Sequence, residues 1–322
     1  MTSVVCTLFE NHYHHGVAAL INSLFTNGYR GEIYAGYRGE LPFWALGANE
    51  NSSLVWTGGR TLEVSECLRV HFLPLNTDYH LTNFKPDFML MIWERIAQDA
   101  KQLFYFDPDI VLLTPWSFFT NWATCGVALC EDVNSPLAEF HPRRVAWRRY
   151  FTNKGIELRF RNSIYVNGGF IGVEDKAFLS LWQKIQEAMA IQIGGLSRSS
   201  LTGKPMMIAD QDALAPFSKT DQDALNAAVE AWPGAVSFMG KEAMAFEPGT
   251  ILMPHALGQP KPWQWSYLKQ VIQGKPPRLV DRAYWDSANV VIRSQPGFRV
   301  SLKKATLTIA AFIGRFYQRG PI

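Results

Sequence analysis

Two aspartates one residue apart, Asp107 and Asp109 in L-F-Y-F-D-P-D-I-V-L-L, are the side chains whose type and spacing point most directly to chemistry. Paired carboxylates offer hard oxygens suited to Mg2+ or Mn2+, with water and phosphate oxygens filling the remaining positions. An ion held there would act as a Lewis acid on charge building on a departing diphosphate. The apolar residues 103–106 read as a buried strand ending at the pair. Ligands of open α/β sheets sit beyond the carboxyl ends of such strands.

Further polar signals follow. Asn167-Gly168-Gly169 comes after an apolar run, Asp210-Gln211-Asp212 opens an expected helix, and residues 255–263 read H-A-L-G-Q-P-K-P-W. Taken singly, each has a plain structural explanation. Asn-Gly is a turn signal, and acids at a helix start are favoured by the helix dipole. His12, His14 and His15 read as a solvent-facing loop after a strand. Most of the eleven tryptophans are expected in the core, with Trp263 and Trp265 as candidates for an acceptor-binding rim.

The elements that must position these residues are visible as periodicities. Residues 3–9 form a β-branched strand, 17–25 show helical spacing stopped by Asn27-Gly28, and 32–36 form a second strand. Strand, helix, strand at this spacing opens a parallel α/β sheet. Residues 88–99 suit a helix, with Pro86 near its start. Further strands are expected at 126–130, 164–173 and 236–238, and an amphipathic helix at 177–190. The glycine- and serine-rich residues 193–204 read as a loop or lid. Pro205 follows Lys204, so the Walker phosphate loop is not matched.

Composition bounds the alternatives. Nearly half of the 322 residues are apolar and 18% are charged, which favours a folded core over disorder. The four cysteines lack metal-binding spacing and read as free thiols of a reduced, cytoplasmic setting. Neither a signal peptide nor a membrane-spanning segment is expected. The stretch after Asp286 holds six of the 31 basic residues and none of the 28 acidic ones, leaving the body near −3 and the tail at +6. A nucleic-acid reader would show basicity on its body. On a helical wheel Leu302, Ala305, Ile309, Phe312, Ile313 and Phe316 share one arc, with Lys304 and Arg315 opposite and Arg319 at the border. That pattern suits a helix on an anionic membrane surface, such as the inner face of the plasma membrane; docking on the body is the alternative. Two regions are expected, a catalytic domain at 1–265 and a C-terminal extension at 266–322.

In order along residues 3–265, the early strand and tyrosine, the D-x-D, the N-x-G, the D-Q-D and the late H-x-x-G-x-x-K-P-W resemble glycosyltransferase family 8. The resemblance implies a GT-A (Rossmann-like) α/β fold, with a mixed, mostly parallel central sheet flanked by helices. It implies a hexose donor linked to a nucleoside diphosphate, taken as UDP, a glycan, lipid-linked or other hydroxyl acceptor, and Mn2+ or Mg2+. Asp107, Asp109 and His255 would be the metal ligands. Gly258 and Lys261 would meet the diphosphate, with Thr7, Glu10 and Tyr13 toward the nucleoside. Asp132, Asn167, Gly168, Gly169, Asp210 and Gln211 would line the donor sugar, Asp210 and Gln211 being nearest the chemistry. Family members often have Asp where Glu10 stands and Ala in place of Gly168. They also carry an arginine on the helix before D-x-D, where this chain has Met89-Leu90-Met91 and Lys85 is the nearest substitute. The family implies retention, and a neutral Gln211 favours a front-face route. A nucleotide-sugar-binding protein without turnover is the second reading. A D-x-D phosphotransferase of the haloacid-dehalogenase type is the third, although its later G-D-x-x-x-D is absent.

Overall fold

The computed structural model describes residues 2–199 and 217–316. Its strands are β1 (Ser3–Glu10), β2 (Gly31–Arg38), β3 (Asn49–Glu50), β4 (Arg60–Ser65), β5 (Leu68–Pro74), β6 (Gln102–Phe106), β7 (Val127–Glu131), β8 (Val166–Val173) and β9 (Val236–Met239). The helices are α1 (His14–Thr26), α2 (Lys85–Arg95), α3 (Trp116–Ala123), α4 (Pro142–Thr152), α5 (Lys176–Ile193), α6 (Thr220–Ala231), α7 (Tyr267–Ile272), α8 (Leu279–Ser287) and α9 (Gly297–Gly314).

The strands form one sheet in the order β3-β4-β5-β2-β1-β6-β8-β7-β9. Only β4 and β8 run against the others, because their pairings with β5, β6 and β7 are antiparallel while β1 pairs parallel with both β2 and β6. The antiparallel run of β8 has a consequence for the site. Its first residues lie at the same edge as the last residues of β1, β6 and β7, with Phe106 opposite Phe170 and Glu131 opposite Val166.

Successive side chains of a strand face opposite sides of the sheet, and both sides are covered here. Cys6, Leu8, Leu103 and Tyr105 face one core with Phe88, Ile92, Trp182 and Leu225 from α2, α5 and α6. Val5, Phe9, Phe104 and Phe106 face another with Val17, Leu20 and Phe119 from α1 and α3. This double burial explains why β1, β6 and β8 read as continuous apolar runs rather than alternating ones.

Of the expected loop at 193–204, residues 200–204 lie outside the described residues, and the carbonyls of residues 196 and 198 accept from His80 and Asn83. Two features differ from the sequence reading. The strands β3, β4 and β5, at one end of the sheet, carry polar residues among apolar ones and were not anticipated. Finally, α9 docks on the body through Leu307, Ala310 and Gly314, joining Trp263, Trp265, Tyr284 and Trp285 in a third core that includes Ala19 of α1. Asn22 of α1 ties this segment further, donating to the carbonyls of Ser287 and Ile292 and accepting from the amides of Val291 and Ile292. The arc expected to meet lipid is not the docking face: Leu302, Ile309, Phe312 and Phe316 remain exposed, with Phe298. Among the described residues no helix is long and apolar enough to cross a membrane.

Candidate active site

The D-P-D turn is clamped by backbone on both sides. The Asp107 amide donates to the Gly169 carbonyl at 2.7 Å, fixing the turn to the first residues of β8. On the other side Val111 donates to Pro254, Leu113 to Leu252 and Ala256 to Asp109, while Ile110 bridges to His255. That short ladder brings an imidazole from a distant segment to the pair. His255 Nε2 lies 3.2 Å from Asp109 Oδ1 and 3.8 Å from Asp107 Oδ2. One ligand atom from each residue lies within 4.8 Å of the others. Among the described residues the buried His255 Nδ1 has no hydrogen-bond partner, so the polar contacts seen for the ring are at the nitrogen that faces the carboxylates. Two carboxylates and one imidazole, facing a common point, fit a hard divalent cation.

Two lysines neutralise the carboxylates. Lys261 Nζ lies 2.5 Å from Asp109 Oδ2 and donates to the Ala256 carbonyl at 2.7 Å. Lys85 Nζ lies 2.9 Å from Asp107 Oδ1, 2.8 Å from the Gly168 carbonyl and 3.6 Å from Asp221 Oδ2. Burial alone would raise the Asp109 pKa, but His255 and Lys261 outweigh it and hold this carboxyl well below the usual range. Burial likewise works against the charge of both lysines, yet their carboxylate partners push their pKa values up.

Around this centre lies a cleft of about 520 Å³. It brings together Glu10, Tyr13, Lys85, Asp107, Asp109 and His255 with Asp132, Asn167, Gly168, Gly258 and Lys261. Asn167 is held by donating to Asp132 Oδ2 at 2.6 Å and accepting the Gly169 amide at 2.8 Å. Glu10 is paired with Arg38 at 3.3 Å. Tyr13 lies edge-on to Trp263 with ring centroids 5.8 Å apart and its hydroxyl near Gln259. Gly258 adopts φ +71, and none of the described residues lies within 4 Å of where a Cβ would stand, so backbone conformation calls for glycine there.

Some expected residues stand elsewhere. Thr7 is fully buried in β1 and is not part of the cleft lining. Gly169 lies behind His255: a Cβ there would stand 2.6 Å from the imidazole Cε1. Trp263 and Trp265 do not form a rim. Both are buried, with Trp263 donating to His12 and Trp265 to the Pro260 carbonyl, because C-terminal helices cover them.

Asp210 and Gln211 lie outside the described residues. A second D-Q-D, Asp221-Gln222-Asp223, opens α6 and was not singled out from sequence; its Asp221 and Gln222 line the cleft. A Cβ on Gly168 would stand 3.3 Å from both Asp221 Oδ2 and Gln222 Cγ, so these groups adjoin the N-x-G turn. Burial raises the Asp221 carboxyl despite Lys85. Asp223 is pushed up to about 7, chiefly by burial; it accepts from the Tyr165 hydroxyl at 2.8 Å and the Lys219 amide at 2.7 Å. The sequence held a clue to it: this tripeptide precedes the helical run A-L-N-A-A-V.

No protein-family model and no curated protein sequence matches the chain. Among solved structures, it is similar to the galactosyltransferase LgtC in complex with donor and acceptor sugar analogs. The TM-score is 0.51 at 14% identity, covering 93% of this chain and 99% of that one. An active-site mutant of LgtC aligns at a TM-score of 0.48 and 12% identity over 92% of this chain and 98% of that one. The bifunctional glycosyltransferase WbbM, in its apo form, aligns at 0.46 and 10% over 94% of this chain and 51% of that one. The likeness to the LgtC complex shows the fold, and the expected GT-A architecture is the one observed.

Proposed function

We propose that this cleft transfers a hexose from a UDP-linked donor to a hydroxyl acceptor, with a divalent ion held by Asp107, Asp109 and His255. The observation that carries the reading is their convergence at a strand-end cleft, with Lys261 and Gly258 alongside. The ion, Mn2+ or Mg2+, would supply Lewis-acid stabilisation of the leaving diphosphate. The LgtC complex holds donor and acceptor sugar analogs on the same fold, which supports both partner classes.

The chain's own residues have separable tasks in this reading. Lys261 adds a point charge to the diphosphate, and Gly258 lets backbone approach it closely. Tyr13 offers a ring face to the base, and Glu10 an acceptor for a base N–H. The linked Asp132 and Asn167 would hold donor hydroxyls, beside Gly168. We assign to Asp221 and Gln222 the place at the donor hexose that the sequence reading gave to Asp210 and Gln211. Gln222 is a neutral amide and a poor nucleophile, so a front-face route with retention is favoured. The bond from the anomeric carbon to the diphosphate breaks as the bond to the acceptor oxygen forms on the same face. The acceptor proton passes to the departing phosphate oxygen. Protein groups contribute alignment and fixed charge.

On the outer side of α9, exposed Phe298, Leu302, Phe312 and Phe316 lie in a stretch with basic and no acidic residues. An anionic lipid surface is the occupant whose charge and apolarity complement it, which would suit a lipid-linked acceptor.

The deciding assay incubates the protein with UDP-hexoses, Mn2+ and candidate acceptors, and measures free UDP. Binding without UDP release would indicate a nucleotide-sugar-binding protein, and release of inorganic phosphate a phosphotransferase. An inverted anomer in the product, read by NMR, would exclude the front-face route.

A further inference from the structure

We propose that, before donor arrives, Lys261 blocks the cation seat, so that the divalent ion enters tightly only together with a diphosphate that draws the ammonium away. This rests on the metal-dependent reading above and adds an order to it. Asp109 is engaged at both oxygens: Oδ1 faces His255 Nε2 at 3.2 Å, and Oδ2 holds Lys261 Nζ at 2.5 Å. An ion using Asp109 must therefore share a buried carboxylate with an ammonium, and both are cations.

Formal charge makes the same point. Asp107, Asp109 and Asp221 with Lys85 and Lys261 sum to about −1 when ionised, with His255 neutral. A divalent ion alone would invert the sign of this enclosed cluster, which is costly where water is scarce. An ion that arrives with the two negative charges of a nucleoside diphosphate sugar restores it.

The two lysines are not equivalent in freedom. Lys85 is almost fully buried and held by three acceptors, the Gly168 carbonyl, Asp107 and Asp221. Lys261 has two among the described residues, on Asp109 and Ala256, and lies over the Tyr13 ring at 5.6 Å. Lys261 can turn toward a diphosphate, whereas Lys85 would have to abandon three chain segments.

The test is Mn2+ titration of the full chain without nucleotide, by calorimetry and by the electron paramagnetic resonance of free Mn2+. Lys261→Met and Lys261→Gln should each bind Mn2+ at least tenfold more tightly than the wild type, while Lys261→Arg, which keeps the charge, should not. Lys261→Gln retains a donor toward Asp109 and carries the test should the methionine variant not fold. Saturating UDP should raise wild-type Mn2+ affinity by a larger factor than in the glutamine variant, and by linkage Mn2+ should raise UDP affinity equally. Neutral variants that bind Mn2+ no better than wild type, although folded by circular dichroism, would overturn the blocking role. Absence of Mn2+ binding to the wild type even with UDP would instead refute the metal-dependent reading itself.

Discussion

Gly16 offers a sharp test of how the D-P-D turn is held. It lies in the first turn of α1, and a Cβ built on it would stand 2.1 Å from the Pro108 carbonyl oxygen and 2.9 Å from Trp263 Cη2. Ordinary contact begins near 3.4 Å, so helix and turn must part by about 1.3 Å. Neither neighbour yields readily, because Pro108 lies between two clamped aspartates and Trp263 is buried. Two effects oppose each other in Gly16→Ala. Alanine gains up to about 1 kcal/mol over glycine within a helix, whereas overpacking costs roughly 1–3 kcal/mol, and more where backbone is struck. The clash should win, leaving a net loss of about 2 kcal/mol by urea denaturation. The larger effect should be on the site, since a misplacement of about 1 Å can cost on the order of 100-fold in rate. Gly28→Ala is the control. Its φ of +88 strains alanine, but nothing lies within 4 Å, so stability should fall while Mn2+ binding with UDP is kept. A Gly16→Ala protein more stable than wild type, with unaltered Mn2+ binding and UDP release, would show that the close approach does not shape the turn.

Other expectations follow from the same geometry. Gly169→Ala should displace His255 and weaken Mn2+ binding in the presence of UDP by about 10- to 100-fold, with secondary structure intact by circular dichroism. Asp221→Asn and Gln222→Ala should lower kcat while Mn2+–UDP affinity, read by calorimetry, is kept; greater losses from the same changes at Asp210 and Gln211 would return the assignment to the first D-Q-D. Asp223 has a folded pKa near 7, raised above its unfolded value, so the folded chain binds the extra proton between them. Its contribution to stability is therefore full below about pH 4 and lost as pH rises through 7, by at most about 4 kcal/mol. Asp223→Asn should flatten the urea-denaturation midpoint across that window. Replacing Phe312 and Phe316 together by serine should abolish co-sedimentation with anionic vesicles while leaving the melting temperature unchanged; undiminished co-sedimentation would reject the lipid surface.

What could be read without coordinates depended on how local each signal was. The D-P-D tip was legible because an apolar strand run stops abruptly at two acids. His255 could be reached only through resemblance, since nothing near residue 255 shows that a backbone ladder will deliver it to Asp109. Two identical D-Q-D tripeptides stand eleven positions apart, and the sequence reading took up the first; of the second, the contact of Lys85 with Asp221 shows that it adjoins the site. Gly16 carried no visible signal, because a glycine in a helix reveals its purpose only when the surface it faces is known. Trp263 and Trp265 were placed at a rim because the helices that cover them arrive later in the chain. On α9 the wheel located a bulky apolar arc correctly, yet the helix docks through smaller residues, with Gly314 close against Pro276. Periodicity identifies an apolar face without saying which partner meets it.

Under the proposed function, the ladder joining 109–113 to 252–256 would make cation capture a report on the whole chain. Carboxylates and imidazole belong to stretches that become neighbours only once the late segment has zipped alongside the early one. A partly folded or C-terminally truncated chain would keep both aspartates and yet lack a competent binding seat. The amides of Val111, Leu113 and Ala256 would then be natural sentinels, their slow deuterium uptake marking completion of folding, and further slowed by whatever occupies the seat.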